Sequence, residues 1–188
     1  MRTTPMDITR ISVFAAVCIA LNVGLNKIAA VLDLPVFMDT VGTILSAALI
    51  PPLFSMLVGV VSNLLGGIVT NPAIPFYAGT QVFIAAMAIV AYRKGWFDRL
   101  WPALLTGLAI GVVSAVVSAP ITVLLFGGIT QPGATAINAV LLAAGHSLWS
   151  AVLSGSLIVS SVDKIIAAGM VWLLLQRLPD NIKLSRPY

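Results

Sequence analysis

The sequence predicts an all-α membrane protein with six transmembrane helices, cytoplasmic N- and C-termini, and an outer cap segment between helices five and six. Three observations carry this expectation. Of 188 residues, 60% are hydrophobic and 9% charged, against about 25% charge in a soluble domain, so the chain cannot cover itself with a solvated surface. Apolar runs of the roughly 17–25 residues that a bilayer crossing needs follow one another, and the mean hydropathy is +1.08. Lys and Arg cluster at alternate ends of those runs. The alternating ten-residue strands of a transmembrane barrel do not occur.

The whole chain, 1–188, reads as one integral membrane domain. The first span covers 9–32. It lacks an A-x-A cleavage end and is too long for a signal h-region, so it is expected to stay in the fold. Cys18, the single cysteine, excludes an internal disulfide or a cysteine metal cluster and reads as a small buried hydrophobe. After the loop "DLPVF" a second span covers 38–50. Pro51 and Pro52 force a turn, and a third span covers 53–69. The loop "TNPAIP" leads to a fourth, 76–92. The polar hinge "RKGWFDR" separates it from a fifth, 101–126, and the last covers 157–178.

Between the last two spans, the apolar stretch from Ala136 to Leu153 is long enough to raise the question of a seventh. Charge placement argues against it. Arg2 and Arg10, then Arg93, Lys94 and Arg99, then Arg177, Lys183 and Arg186 all fall on the cytoplasmic side with six spans, as the positive-inside rule requires. Loops 33–37, 70–75 and 127–156 then lie outside and hold no Lys or Arg. Segment 134–156 is expected to form an outer cap or partly re-entrant helix. The same placement explains the net charge of +4 and the pI of 9.6 by membrane orientation rather than by nucleic acid.

Close helix approach in lipid depends on small residues four apart. The fifth span carries such a ladder, Gly107, Gly111, Ala115 and Ala119, and the third carries Ser55, Gly59 and Gly67. Ala16 and Ala20 form a further pair in the first span.

Four ionisable residues are hard to place in lipid: Lys27, Asp39, Asp163 and Lys164. Each costs about 2.5–3.5 kcal/mol at a helix centre and less toward the interface. With six spans, all four fall in the outer third of the membrane, where two acids and two bases can pair. Two readings stand: snorkelling with structural ion pairs, or groups lining a cavity open to the outside. Asn22, Asn26, Asn63, Thr80, Gln81 and His146 lie at similar depths or in the outer loops, and Phe76, Tyr77 and Trp149 offer flat apolar contact. The candidate ligand contacts are Lys27, Asp39, Asn63, Tyr77, Gln81, His146, Trp149, Asp163 and Lys164. One histidine makes no metal site.

No P-loop, nucleophile elbow or zinc-protease motif is present, so no catalysis is expected from this chain and no cofactor through a recognisable motif. The halves show no inverted repeat of interrupted helices, which many secondary transporters have. These features suit a small membrane binder that takes its energy or its output from a partner.

The segments "LPVFMDTVGTILSAALIPPLFSMLVGVVSNLLGGIVTNP" and "SVDKIIAAGMVWLLLQRLP", with A-x-x-x-A in the first helix, resemble the substrate-binding S component of energy-coupling factor (ECF) transporters, in particular its bacterial vitamin-uptake members. The resemblance extends over nearly the whole chain. It implies a multi-pass protein of the bacterial cytoplasmic membrane that captures a vitamin from outside. Its partners would be a transmembrane coupling protein and two ATPase subunits that use ATP, and it would topple in the membrane to release cargo inside. Ala16 and Ala20 match the alanine pair that contacts the coupling protein. Pro51 and Pro52 depart from the glycine-containing turn common at that place in the family.

For the ligand, a cap rich in Ala, Gly and Ser leaves volume, so cobalamin is the first lead. Pantothenate follows, its carboxylate meeting Lys27 or Lys164, and then a pyrimidine or pyridoxine precursor. Two other functions fit the same sequence: the membrane sensor module of a signalling system, and a stand-alone small permease. The chain ends at Tyr188, shortly after the last span, so no output domain is expected.

Overall fold

A computed structural model describes residues 7–130 and 132–184. Arg2 and Arg186, two of the basic residues used for orientation, lie outside them. The described chain is helical, with no strand among the described residues. Its α-helices are α1 (Ile8–Val31), α2 (Val41–Leu49), α3 (Pro52–Val69), α4 (Ala78–Arg93), α5 (Leu100–Phe126), α6 (Pro132–Ala143) and α7 (Leu148–Arg177). A short 3-10 turn, Ile74–Tyr77, runs directly into α4. Five helical segments are long and apolar enough to cross a membrane: α1, α3, the turn with α4, α5 and α7.

The second expected span is not such a helix. α2 has nine residues, about 14 Å at 1.5 Å per residue, well short of a hydrocarbon core of about 30 Å. All nine are buried, enclosed by α1, α3, α4 and α7. Segment 34–40 leads into it without regular structure. Such backbone survives at membrane depth only where protein groups satisfy it, and here they do. Asn26 Nδ2 donates to the Phe37 carbonyl at 2.7 Å. The N–H groups of Phe37 and Met38 donate to Asp163 Oδ1 at 3.1 and 2.7 Å. Met38 has φ 53°, a left-handed conformation costing a non-glycine residue about 1–2 kcal/mol, and the Asp163 bond to its N–H helps hold it there.

The start of α2 is capped from another helix. Asn22 of α1 accepts the N–H of Gly42 at 2.7 Å and of Thr43 at 3.3 Å, while its Nδ2 donates to Thr43 Oγ1 and Ser62 Oγ at 2.9 and 3.0 Å. Thr40, the residue in the N-cap position, makes no such bond. Asn22→Ala is expected to lower stability by about 0.5–2 kcal/mol, the usual worth of a cap, measured by thermal unfolding in detergent. An unchanged melting temperature would show that α2 needs no cap from α1.

The ladder expected on α5 is its contact with α7. Gly107, Gly111, Ala115 and Ala119 are all buried. A side chain at Gly107 would run into the backbone of Ile165 at 2.8 Å, and one at Gly111 into the Ser161 Cα at 2.6 Å. These glycines bring the two longest helices into backbone contact.

Between α5 and α7 the boundaries differ from expectation. Gly145, at φ 89°, ends the turn after α6, and Ser147 caps α7 by accepting the Ser150 N–H. The last helix thus begins at Leu148 rather than near 157. The segment expected as one cap, 134–156, divides into most of α6 and the first turns of α7. Gly155 leaves room for Asn138 of α6 to lie directly on α7.

The bundle has two unlike ends. At one, the Arg10 guanidinium donates to the Asn181 carbonyl at 2.7 Å, and the Leu184 N–H donates to the Ala48 carbonyl at 2.7 Å. α4 ends there at Arg93, and α5 begins there after the hinge carrying Lys94 and Arg99. At the other end, loops 33–40, 70–77 and 127–130 gather with α6.

Candidate functional site

A cavity opens among those loops. It is lined from α1 by Asn26, from the stretch before α2 by Phe37 and Asp39, and from α3 by Asn63. Tyr77, Thr80 and Gln81 line it at the start of α4. Ser114, Ser118 and Thr122 face it from α5; Ser156, Ser160 and Lys164 face it from α7; Ala134 and Asn138 of α6 cover it. Its volume is about 90 Å³.

Its charged part is a chain of three groups. Lys164 Nζ lies 2.9 Å from Asp39 Oδ1 and also bonds Asp163 Oδ2. Asp163 is fully buried and Lys164 nearly so, whereas Asp39 is 23% exposed. One ammonium between two carboxylates, with Lys164 and Asp163 held from water, is tolerable only because further hydrogen bonds complete the shells. Asp163 gains the two backbone N–H bonds of Phe37 and Met38. Lys164 also lies 5.8 Å from the centre of the Phe37 ring, a cation–π distance.

Gln81 links this chain to the cap of α2. Its Nε2 donates to Asn63 Oδ1 at 3.1 Å and, more weakly, to Asp39 Oδ2 and the Asp39 carbonyl at 3.3 Å. Its Oε1 accepts from Thr43 Oγ1 at 3.0 Å. Gly59 of α3 lets α4 come close at this point, since a Cβ there would touch the Gln81 side chain. Tyr77 reaches across to Thr122, with the two oxygens 2.9 Å apart, and stacks on Phe126 with centroids 6.0 Å apart.

Of the residues singled out in the sequence, Asn26, Asp39, Asn63, Tyr77, Thr80, Gln81 and Lys164 meet at this cavity. Asp163 stands behind it, fully buried, holding the backbone that carries Phe37 and Met38. Lys27 does not line it. Asn22 and Asn26 occupy the buried face of α1, and Lys27, one position further on, turns to the exposed side and donates to the Val69 carbonyl at 3.0 Å. It fixes the end of α3 and does not pair with Asp39. His146 and Trp149 are exposed at the turn between α6 and α7 and do not line the cavity.

Two stripes went unread in the sequence although their signal was present. Ser114, Ser118 and Thr122 recur every four residues on α5, and Ser156, Ser160 and Lys164 do so on α7. In apolar helices, polar residues at that spacing mark one face. Asn138, buried in α6 and donating to the Gly128 carbonyl at 2.9 Å, carried no such pattern.

Three lining residues hold polar atoms without a hydrogen-bond partner: Asn26 Oδ1, Thr80 Oγ1 and Ser114 Oγ. All three residues are buried. A buried polar atom left unpaired costs about 1–3 kcal/mol, and here the three share one cavity. Among the described residues, no three His, Cys, Asp or Glu side chains come together as a metal site. No family model, curated protein or solved structure matches the chain.

Proposed function

We propose that the chain is the vitamin-binding S component of an ECF-type transporter in the bacterial cytoplasmic membrane. The observation that carries this reading is the cavity: lined by many polar residues, with three unpaired buried atoms, at one end of an otherwise apolar bundle. Its end of the bundle lies opposite Arg93, Lys94 and Arg99, which suits an outward-facing pocket by the positive-inside rule. In this reading α2 and the extended stretch before it together count as the second of six crossings, with both termini inside.

In this role the cavity binds the vitamin and does no chemistry on it. A coupling protein and two ATPases supply the energy by ATP hydrolysis. Ala16 and Ala20, exposed on the outer face of α1, offer the flat surface a partner helix needs for close approach. The volume reorders the ligand candidates. The cavity, at about 90 Å³, is smaller than the roughly 300–1,000 Å³ of sites for drug-sized molecules. That favours a small vitamin or precursor over the much larger cobalamin.

Ala16→Trp and Ala20→Trp are expected to abolish uptake in cells that carry the coupling module, with ligand binding by the isolated chain unchanged. Joint loss of uptake and binding would indicate misfolding instead. ATP-independent uptake by vesicles holding this chain alone would replace the S-component reading with a permease, and a stable kinase partner without a coupling protein would replace it with a sensor.

A further inference from the structure

We infer that the cavity selects a small cationic or amine-bearing ligand and rejects anions of the same size. This deepens the proposed function and rests on the cavity being a capture site. Among the described residues, the charged groups that line it are Asp39 and Lys164. Lys164 is already committed, with its ammonium on Asp39 Oδ1 and Asp163 Oδ2. An incoming carboxylate would have to break one of those pairs and leave a buried acid without its counter-ion. Lys27, the other base in this half of the molecule, spends its ammonium on the Val69 carbonyl and does not line the cavity.

Acceptors, in contrast, are left over. Asp39 Oδ2 has only the 3.3 Å contact from Gln81 Nε2. Asn26 is 4% exposed, and its Oδ1 has no partner. The orientation of that amide is fixed chemically. Its other atom sits 2.7 Å from the Phe37 carbonyl, which only an NH₂ can satisfy, so the unpaired atom is an oxygen. Neither a carboxylate oxygen nor an amide oxygen can donate. Both call for N–H or O–H groups from the ligand, and the carboxylate adds preference for positive charge. Thr80 and Ser114 hydroxyls, which donate or accept, can serve the ligand's remaining polar atoms. The rings of Phe37 and Tyr77 provide apolar and cation–π surface nearby.

The test uses the full chain in detergent, without partners, and probes matched in skeleton but not in charge. Pyridoxamine is compared with 4-pyridoxate, and benzylamine with benzoate, by titration calorimetry. The amine or cation of at least one pair is expected to bind about tenfold or more tighter than its anionic counterpart, as a charge-assisted hydrogen bond implies. Asp39→Asn, which keeps shape and removes charge, is expected to reduce that ratio to near unity while the protein elutes as a folded monodisperse species. Binding of both anions as tightly as their counterparts overturns the inference. So does a ratio that survives in Asp39→Asn, or no binding of any probe at millimolar concentration. The transport role fails separately, through uptake that does not depend on the coupling module, because this titration needs no partner.

Discussion

Replacing Lys164 with methionine is expected to lower stability by about 3–5 kcal/mol, the cost of removing one partner from a buried charge pair. Methionine keeps the length and apolar stem of lysine, so little packing is lost. What remains is the Asp163 carboxylate, fully buried, facing Asp39 with no cation between them. Asp163 also positions the N–H groups of Phe37 and Met38, so its protonation or movement would release the stretch leading into α2. The measurement is the apparent melting temperature in detergent, with the double variant Asp163→Asn, Lys164→Met alongside. The double variant should recover part of the loss, because the amide oxygen still accepts backbone N–H groups without carrying charge. A single variant as stable as the parent, or a double variant worse than the single, would show that Lys164 is not the counter-ion holding this group of charges.

Gly42→Ala is expected to cost at least the upper part of the roughly 1–3 kcal/mol typical of overpacking. A Cβ at this position would lie 2.6 Å from the Cys18 carbonyl carbon and closer still to its oxygen. That obstacle is helical backbone and cannot rotate away as a side chain would. α2 would have to leave α1, taking with it the bonds from Asn22 to Gly42 and Thr43. Gly24→Ala is the control. It lies in the same α1 helix, a Cβ there meets nothing within 4 Å, and alanine is the better helix former by about 0.8–1.0 kcal/mol. Equal melting temperatures for the two variants would rule out the close approach of α1 and α2 as a constraint.

Several features could be read from residue order alone because they depend on local chemistry. A chain with so little charge and no alternating strand pattern must be helical if it lies in lipid, where each backbone polar group needs an internal partner. Pro51 and Pro52 mark the turn before α3 whatever surrounds them. The small residues from Gly107 to Ala119 had to meet another helix, since nothing else benefits from their lack of side chain. Asn63, Gln81, Asp39 and Lys164 stood out because polar groups are costly in an apolar run.

Other features depend on how helices rotate and where the chain folds back. Asp39 and Lys164 are 125 positions apart, and no local pattern indicates that Lys164 rather than Lys27 is the partner. That choice follows from the buried face of α1, which carries Asn22 and Asn26 and turns Lys27 outward. Apolarity alone could not separate a spanning helix from α2, which is short but enclosed by four others. Residue order therefore determined the helical, lipid-compatible class and a reservoir of polar groups. Tertiary structure decided which of them share a cavity, because pairing depends on distances between segments remote in the chain. It also decided that the surplus there is of acceptors, since an atom is left unpaired only once every neighbour has taken its place.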